Sequence, residues 1–486
     1  MSLIAATRRV LLLAIDTHRG DPATVAHLQG QLARLDEPLR VAIAGKVKAG
    51  KSTLLNALVG ENVAPTDAGE CTRVVTWYRD GHVPRIVLHP HRGAAEPLTV
   101  RREEGSLVID LAGTPADDVE RLVVDWPSES LRAATLIDTP GIASTSASTS
   151  QRTVAFLDPD DDTPTEADAV VYLMRHLHAA DAEFLESFRD RGVARATAVN
   201  TVAVISRADE IGGGRVDAMF SARGIAQRYR ADPTVRGLCQ DVVAVAGLLA
   251  QTGRTLRHAE YTALADLSAL PREELDGDLL SVARFRRGGD AEQRDRLVRR
   301  FGLFGIRLSA MLIRQGTNNP DALAAELVNR SGLAELQNVL HTQFTGRRDL
   351  LKARSALLAV DRLLQGTRRD GPLAREVERV LAGAHEFAEL RLLGALRSGV
   401  VGLPRPVAEE AERLLGDAGA SPAARLGLPP GTPAAELRQA AFGALERWQR
   451  HAANPMLSRS ATAACHTVIR TCEGILAAGP HPVRTP

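Results

Sequence analysis

Three short stretches carry residue types at spacings suited to phosphate chemistry. The first is Gly45-Lys46-Val47-Lys48-Ala49-Gly50-Lys51-Ser52, followed by Thr53. It fits G-x-x-x-x-G-K-[ST], a loop whose backbone N–H groups wrap phosphates. Its Lys reaches the β/γ-phosphates as a point charge and its Ser hydroxyl binds Mg²⁺. Of the four lysines in the chain, three (Lys46, Lys48 and Lys51) fall inside this loop. The second stretch, Asp138-Thr139-Pro140-Gly141, follows the apolar run Ala134–Ile137. Asp138 is placed to hold Mg²⁺ through water, and the Gly141 N–H to contact a γ-phosphate, the contact that separates triphosphate from diphosphate states.

The third stretch, Ser206-Arg207-Ala208-Asp209, ends a buried apolar run. A carboxylate there accepts two hydrogen bonds from guanine N1 and N2, while the long cation stacks on the ring. Adenine offers no such donor pair. Ser206 and Arg207 both depart from the usual N/T-K-x-D form; a guanidinium stacks well, and Arg replaces Lys throughout this composition. Val242–Ala246 followed by Gly247 supplies the next strand-end loop, where backbone amides of Ala246 and Gly247 are expected to read guanine O6. A switch threonine that completes the Mg²⁺ shell and positions water is expected between the first two motifs; Thr72 is the candidate and Thr76 its rival. Together these residues describe a site for GTP and GDP with Mg²⁺. An ATP site would require Asp209 to be coincidental.

The elements that must position these loops follow from periodicity. Residues 1–37 read as two helices, the second capped by Asp21 with Pro22 at its first position. Residues 38–256 alternate β-type runs with helical ones, an α/β pattern with a mostly parallel sheet and helices on both faces. Expected strands are Leu39–Ala44, Val74–Tyr78, Arg85–His89, Leu98–Arg102, Ser106–Leu111, Arg121–Trp126, Ala134–Asp138, Ala169–Leu173, Thr201–Ser206 and Val242–Ala246. Residues 257–486 show only helical periodicity, as an all-α bundle would. There, helices are expected from Asp290 to about Gln315, from Asn319-Pro320, from Ser331 through Leu364, from Pro372 to Arg397, and from Thr432-Pro433 until Pro455 interrupts.

Composition narrows the class. At 486 residues and 44% hydrophobic content the chain can bury large cores. A formal net charge of +1 gives no electrostatic footprint for nucleic acid. No apolar run reaches the ~18 residues of a membrane-spanning helix. Val10–Ile15 after Arg8-Arg9 is too short for a signal sequence and reads as an amphipathic helix. Cys71, Cys239, Cys465 and Cys472 form no C-x-x-C pair, so neither zinc nor a disulfide framework is expected, and a reducing cytoplasm fits.

With these motifs in place, the chain resembles the dynamin superfamily, and within it the bacterial dynamin-like proteins of the isoniazid-inducible IniA/IniC group, the IniC type being closer in length. The resemblance rests on GKVKAGKST at 45–53, Thr72-Arg73, LIDTPG at 136–141, Ser-Arg-Ala-Asp at 206–209, the long strand-filled interval from Lys51 to Asp138, and RRFGLFGIRL at 299–308. It implies GTP hydrolysis stimulated by pairing of GTPase domains, a helical neck and stalk that includes the N-terminal helices, and peripheral membrane binding at a stalk tip. By position, it implies that Gly45, Val47, Lys48, Ala49, Gly50, Lys51, Ser52 and Thr53 cradle the phosphates, with Ser52, Thr72 and Asp138 around the metal. Where eukaryotic dynamins carry Gln-Ser before Ala-Gly-Lys-Ser, this chain has Val47-Lys48. The Lys48 ammonium is therefore expected to stand in for a bound monovalent cation. The expected tip is Gly399–Pro404, with Val400, Val401 and Leu403 flanked by Arg397 and Arg405, facing anionic lipids at the inner face of the cell membrane. Expected partners are a second copy or a paralogous dynamin-like protein; no nucleic acid is expected.

Overall fold

The computed structural model describes residues 2–66, 73–103, 105–141, 166–178, 181–182, 185–186, 200–365 and 371–477. Its strands, among the described residues, are β1 (Leu39–Gly45), β2 (Thr76–Asp80), β3 (Arg85–Pro90), β4 (Glu96–Leu98), β5 (Arg101–Glu103), β6 (Ser106–Val108), β7 (Val119–Trp126), β8 (Ala134–Asp138), β9 (Ala169–Met174), β10 (Thr201–Ser206) and β11 (Val242–Val245). Nine join one sheet in the order β11-β10-β9-β1-β8-β2-β7-β3-β4, and β5 pairs with β6 apart from it. The half from β11 to β8 is parallel; β2 runs antiparallel to β8, and β7 parallel to β2. Its strands β9, β10 and β11 are buried along their whole length, which is why they read as unbroken apolar runs rather than alternating ones. The carboxyl ends of β1, β8 and β10 lie along one edge of this half, so Gly45, Asp138 and Ser206 open their loops side by side.

Most expected elements stand within a residue or two. The expected strand Leu98–Arg102 instead divides at Thr99-Val100, one end pairing with β3 and the other forming the β5–β6 hairpin. The expected helix from Ser331 through Leu364 breaks into Leu333–Gln343 and Arg348–Gln365 around a 3-10 turn. That break buries Phe344 against the sheet and aims the buried Arg347 guanidinium at the Gly416 carbonyl. Pro372–Arg397 likewise divides at the extended residue Ala384. Leu373 and Val377 then serve one core, Phe387 and Leu390 extend it, and Leu393 and Leu396 enter the next. The helix Ala291–Arg314 kinks at Gly302, with φ 60°, and the carbonyl of Arg300 beside the kink accepts the Thr252 hydroxyl at 2.5 Å.

Helical periodicity begins near 257, but the core does not end there. Leu264, Phe285, Phe301 and Phe304 share one core with Ala42, Val170 and Ala203 of the sheet. On the opposite face, Leu333, Leu336 and Phe344 pack with Leu39, Val171 and Val243. Gly332 marks how closely these helices approach: its φ is +82°, and a Cβ there would lie 2.1 Å from the Ala244 carbonyl oxygen. Beyond this body, Val10, Leu11 and Leu28 of the N-terminal helices Leu3–Thr17 and Pro22–Arg34 pack with Leu357, Val360 and Val377. A last bundle closes around Trp448, Leu393, Leu414, Cys465 and Val468. No helix among the described residues is long and apolar enough to cross a membrane.

Candidate nucleotide site

β1 ends at Gly45, and after a five-residue loop the chain enters helix Lys51–Val59. Only glycine fits at position 45, since a Cβ would lie 2.5 Å from the Leu173 carbonyl oxygen of β9. Lys51 is half-buried and parks its ammonium on the carbonyls of Gly45 (3.2 Å) and Lys46 (3.4 Å). Burial pushes its pKa down while the charge of Asp138 pulls it up. Ser52 donates its hydroxyl to Asp138 Oδ2 at 2.7 Å, whereas the buried Oδ1 has no hydrogen-bond partner. Burial raises the Asp138 pKa against the opposing effects of Lys51 and Ser52. A hydroxyl beside a carboxylate with a spare buried oxygen fits a hard divalent cation such as Mg²⁺.

The loop after β8 returns to the phosphate loop. Thr139 donates both its N–H (3.3 Å) and its hydroxyl (2.9 Å) to the Ile43 carbonyl of β1. Gly141 then packs so tightly that a Cβ would lie 2.5 Å from Val47 Cγ2. Sequence spacing of 94 residues between Val47 and Gly141 thus closes to contact. Thr72 lies outside the described residues. Its rival Thr76 pairs with Asp138 across β2 and β8, but its buried hydroxyl donates to the Val74 carbonyl at 3.3 Å.

At the other end, a cavity of about 570 Å³ of empty space is lined from one side by Ala49, Gly50 and Thr53 and from the other by Arg207, Asp209 and Gly247. Asp209 is buried, and that burial raises its pKa. Arg207 holds a left-handed φ of 51° and pairs with Glu210 at 2.7 Å. The Ala246 N–H donates to the Ser331 carbonyl at 2.9 Å, so it is not free to read a base. Gly247 opens the helix Gly247–Arg254, whose first-turn amides have no intrahelical acceptor, and lines the cavity. Lys48 is exposed, with φ +62°, a left-handed conformation uncommon outside glycine.

The expected lipid-facing loop lies far from this cavity in sequence, at the turn after helix His385–Arg397. Val400 is 74% exposed, but Val401 and Leu403 pack partly buried against the last bundle. Arg397 does not face outward as expected: it is buried, donates to Gln240 Oε1 at 2.9 Å and pairs with Asp417. Arg405 is exposed and pairs with Glu409 at 2.9 Å. Sequence reasoning also missed Asp181, which the fold brings against Lys46. No motif marks it, and a buried acid beside a phosphate loop is visible only once β9 is placed next to β1.

Residues 41–203 match the family model described as the dynamin family. The chain is 42% identical over 490 residues to the isoniazid-induced protein IniC of Mycobacterium tuberculosis, an alignment covering 98% of this chain and 99% of that protein. It is 33% identical over 119 residues to a bacterial dynamin-like protein of Nostoc punctiforme, covering 22% of this chain and 17% of that one. A solved structure of an oligomerised bacterial dynamin pair aligns over 98% of this chain and 74% of its own at 14% identity and a TM-score of 0.36.

Proposed function

The chain belongs to the dynamin family, among its bacterial dynamin-like GTPases, and on that premise we propose that it hydrolyses GTP to GDP and phosphate and works peripherally on membranes as an oligomer. The observation that carries the nucleotide reading is a cavity lined by both the phosphate loop and Asp209. A nucleotide seated there has its phosphates against Gly50, Lys51 and Ser52 and its base against Asp209 and Arg207. Mg²⁺ would be held by Ser52 and Asp138, with Thr72 by family resemblance, and would supply positive charge to the phosphates. Lys51 leaves the Gly45 and Lys46 carbonyls for the phosphates, the Gly141 amide meets the γ-phosphate, and Thr72 orients water. No side chain acts as general base; charge neutralisation and position do the catalysis. Lys48 supplies the cation that other dynamins recruit from solution, so turnover should be indifferent to exchanging K⁺ for a large inert cation.

The reading is tested by turnover of GTP, ATP and xanthosine triphosphate side by side. Wild type should prefer GTP, and Asp209→Asn should transfer that preference to xanthosine triphosphate. A wild type that prefers ATP would end the guanine assignment.

The membrane part rests on the family and on the exposed loop at Val400. One valine contributes only about 1.5–3 kcal/mol on burial, so lasting attachment to anionic lipid needs many copies, as a homo-oligomer or with a paralogue. Cytoplasmic placement at the inner face of the membrane follows from that reading. The competing reading, a GTP-dependent assembly switch or scaffold that never touches lipid, draws on the burial of Arg397. Sedimentation with anionic liposomes, with and without a non-hydrolysable GTP analogue, separates the two. Pelleting of wild type that Val400→Asp loses supports the loop; absence of pelleting under every nucleotide favours the scaffold.

A further inference from the structure

Lys46 follows Gly45 directly, yet its side chain leaves the phosphate site. Its ammonium sits 2.9 Å from Asp181 Oδ2, and Asp181 is 1% exposed where Lys46 keeps 38% of its side chain in contact with solvent. The same carboxylate oxygen accepts the His178 N–H at 3.0 Å, and Oδ1 accepts the Tyr172 hydroxyl at 2.8 Å. Tyr172 lies on β9 and pairs with Ala44 of β1, one residue before the loop begins. Burial, together with the bond to Asp181, drives the Tyr172 pKa well above the usual phenol range, so its hydroxyl is a fixed donor. Asp181 is therefore held from the strand and from its own segment, and in turn holds Lys46.

Lys46 is the pivot of the loop. Its carbonyl accepts the Ala49 N–H at 3.1 Å and the Lys51 ammonium at 3.4 Å. Displacing residue 46 moves both the first turn of the phosphate cradle and the resting place of Lys51. The segment that carries Asp181 also reaches the guanine end: Arg175 pairs with Glu210 at 3.2 Å, and Glu210 pairs with Arg207. Residues after β9 thus contact both Lys46 of the phosphate loop and Glu210, which lines the nucleotide cavity. A buried carboxylate with a single ammonium partner adds little net stability, because desolvation offsets the attraction. Its value here is geometric.

We propose that Asp181 is a positioning residue for phosphoryl chemistry, acting through Lys46 to hold the loop where Lys51 and the loop amides meet the β- and γ-phosphates. The proposal rests on the GTP-hydrolysing reading above and adds a residue that none of the three nucleotide motifs contains. Ground-state phosphates tolerate small loop displacements, whereas the transition state does not. Asp181→Asn should therefore lower kcat about tenfold or more while KM shifts by less than about threefold. Lys46→Arg keeps the ion pair and should retain most turnover; Lys46→Met should not. Because both residues act as one unit, the double variant Lys46→Met with Asp181→Asn should be no slower than the worse single variant.

The measurement is steady-state turnover of GTP and of ATP for wild type and these four variants, with thermal melting as the control for folding. Asp181→Asn turning over within twofold of wild type overturns the proposal. So do single losses that multiply in the double variant, or a Lys46→Arg protein as slow as Lys46→Met. Wild type turning over ATP alone would sink the guanine reading, and the pair is then judged on ATP by the same ratios. Wild type turning over neither nucleotide sinks the hydrolase reading and the positioning role together.

Discussion

Two of the sets of helices that touch the α/β body do so in opposite ways. The helices between His258 and Gln343 meet the sheet through Leu264, Phe301, Phe304, Leu333 and Leu336, all buried. The last bundle, from His385 onward, meets it across polar groups. Arg236 pairs with Glu412 at 2.5 Å, and Arg397 donates to Gln240 at 2.9 Å. These contacts border a cavity with about 1450 Å³ of empty space, lined also by Cys239, Asp241 and Glu409. Apolar faces cannot part without exposing their area to water, whereas paired polar groups can exchange one another for water at modest cost. The first set belongs to the core; the second is a contact suited to opening.

Removing apolar bulk from the first interface is the most damaging way to break this contrast. Phe304→Ala should cost about 3–5 kcal/mol, read as a lower midpoint in denaturant, because its ring lies 4% exposed between sheet and helix. A midpoint within about 0.5 kcal/mol of wild type would show that the helices are not part of the core.

Acid should separate two carboxylates of the last bundle, one inside it and one at its polar interface. Inside the last bundle, burial pushes the Glu389 carboxyl up, but hydrogen bonds from His385, Arg425 and Thr471 outweigh it and leave its pKa at about 2. Its stabilising effect is present above the ordinary glutamate value of 4.5 and is lost as pH falls through about 2, a loss of order 3 kcal/mol. At the polar interface, burial leads and the Glu412 pKa is raised despite Arg236. Its contribution has the opposite sign: full below the ordinary glutamate range and lost as pH rises through the raised value. Melting across pH 2–8 of wild type, Glu389→Gln and Glu412→Gln should show the two slopes reversed. Parallel slopes would erase the distinction.

The smallest expected effect on stability falls at the polar interface. Arg236→Gln should change stability by about 1 kcal/mol or less, since the guanidinium is a third exposed. It should nevertheless speed alkylation of Cys239, a buried thiol whose pKa is pushed up to about 12 by burial. Unchanged labelling would mean that this contact does not open.

The same division explains what could be read in advance. The strand–loop–helix at 39–59 was legible because local signals agree: an apolar run, glycines and a phosphate-loop pattern. The sheet edge at β4 and β5 was not, since Thr99-Val100 carries no turn residue and only pairing partners divide it. The helix from Ser331 read as continuous because its break at Phe344 places a ring in the sheet core rather than answering to Gly or Pro. Helical periodicity from 257 suggested a separate bundle, yet periodicity reports that a helix has an apolar face and is silent on what that face meets.

By itself the sequence determined the phosphate loop, the Asp138 and Asp209 loops, and the α/β order that aligns them, because each depends on residue type and a few neighbours along the chain. Tertiary structure alone decided that the Ala246 amide belongs to Ser331, that Arg397 turns inward to Gln240, and that Lys46 is held by Asp181. Those partners lie 85, 157 and 135 residues apart. A buried polar group takes whichever partner folding brings within hydrogen-bond reach, and that choice is written only in the packed chain.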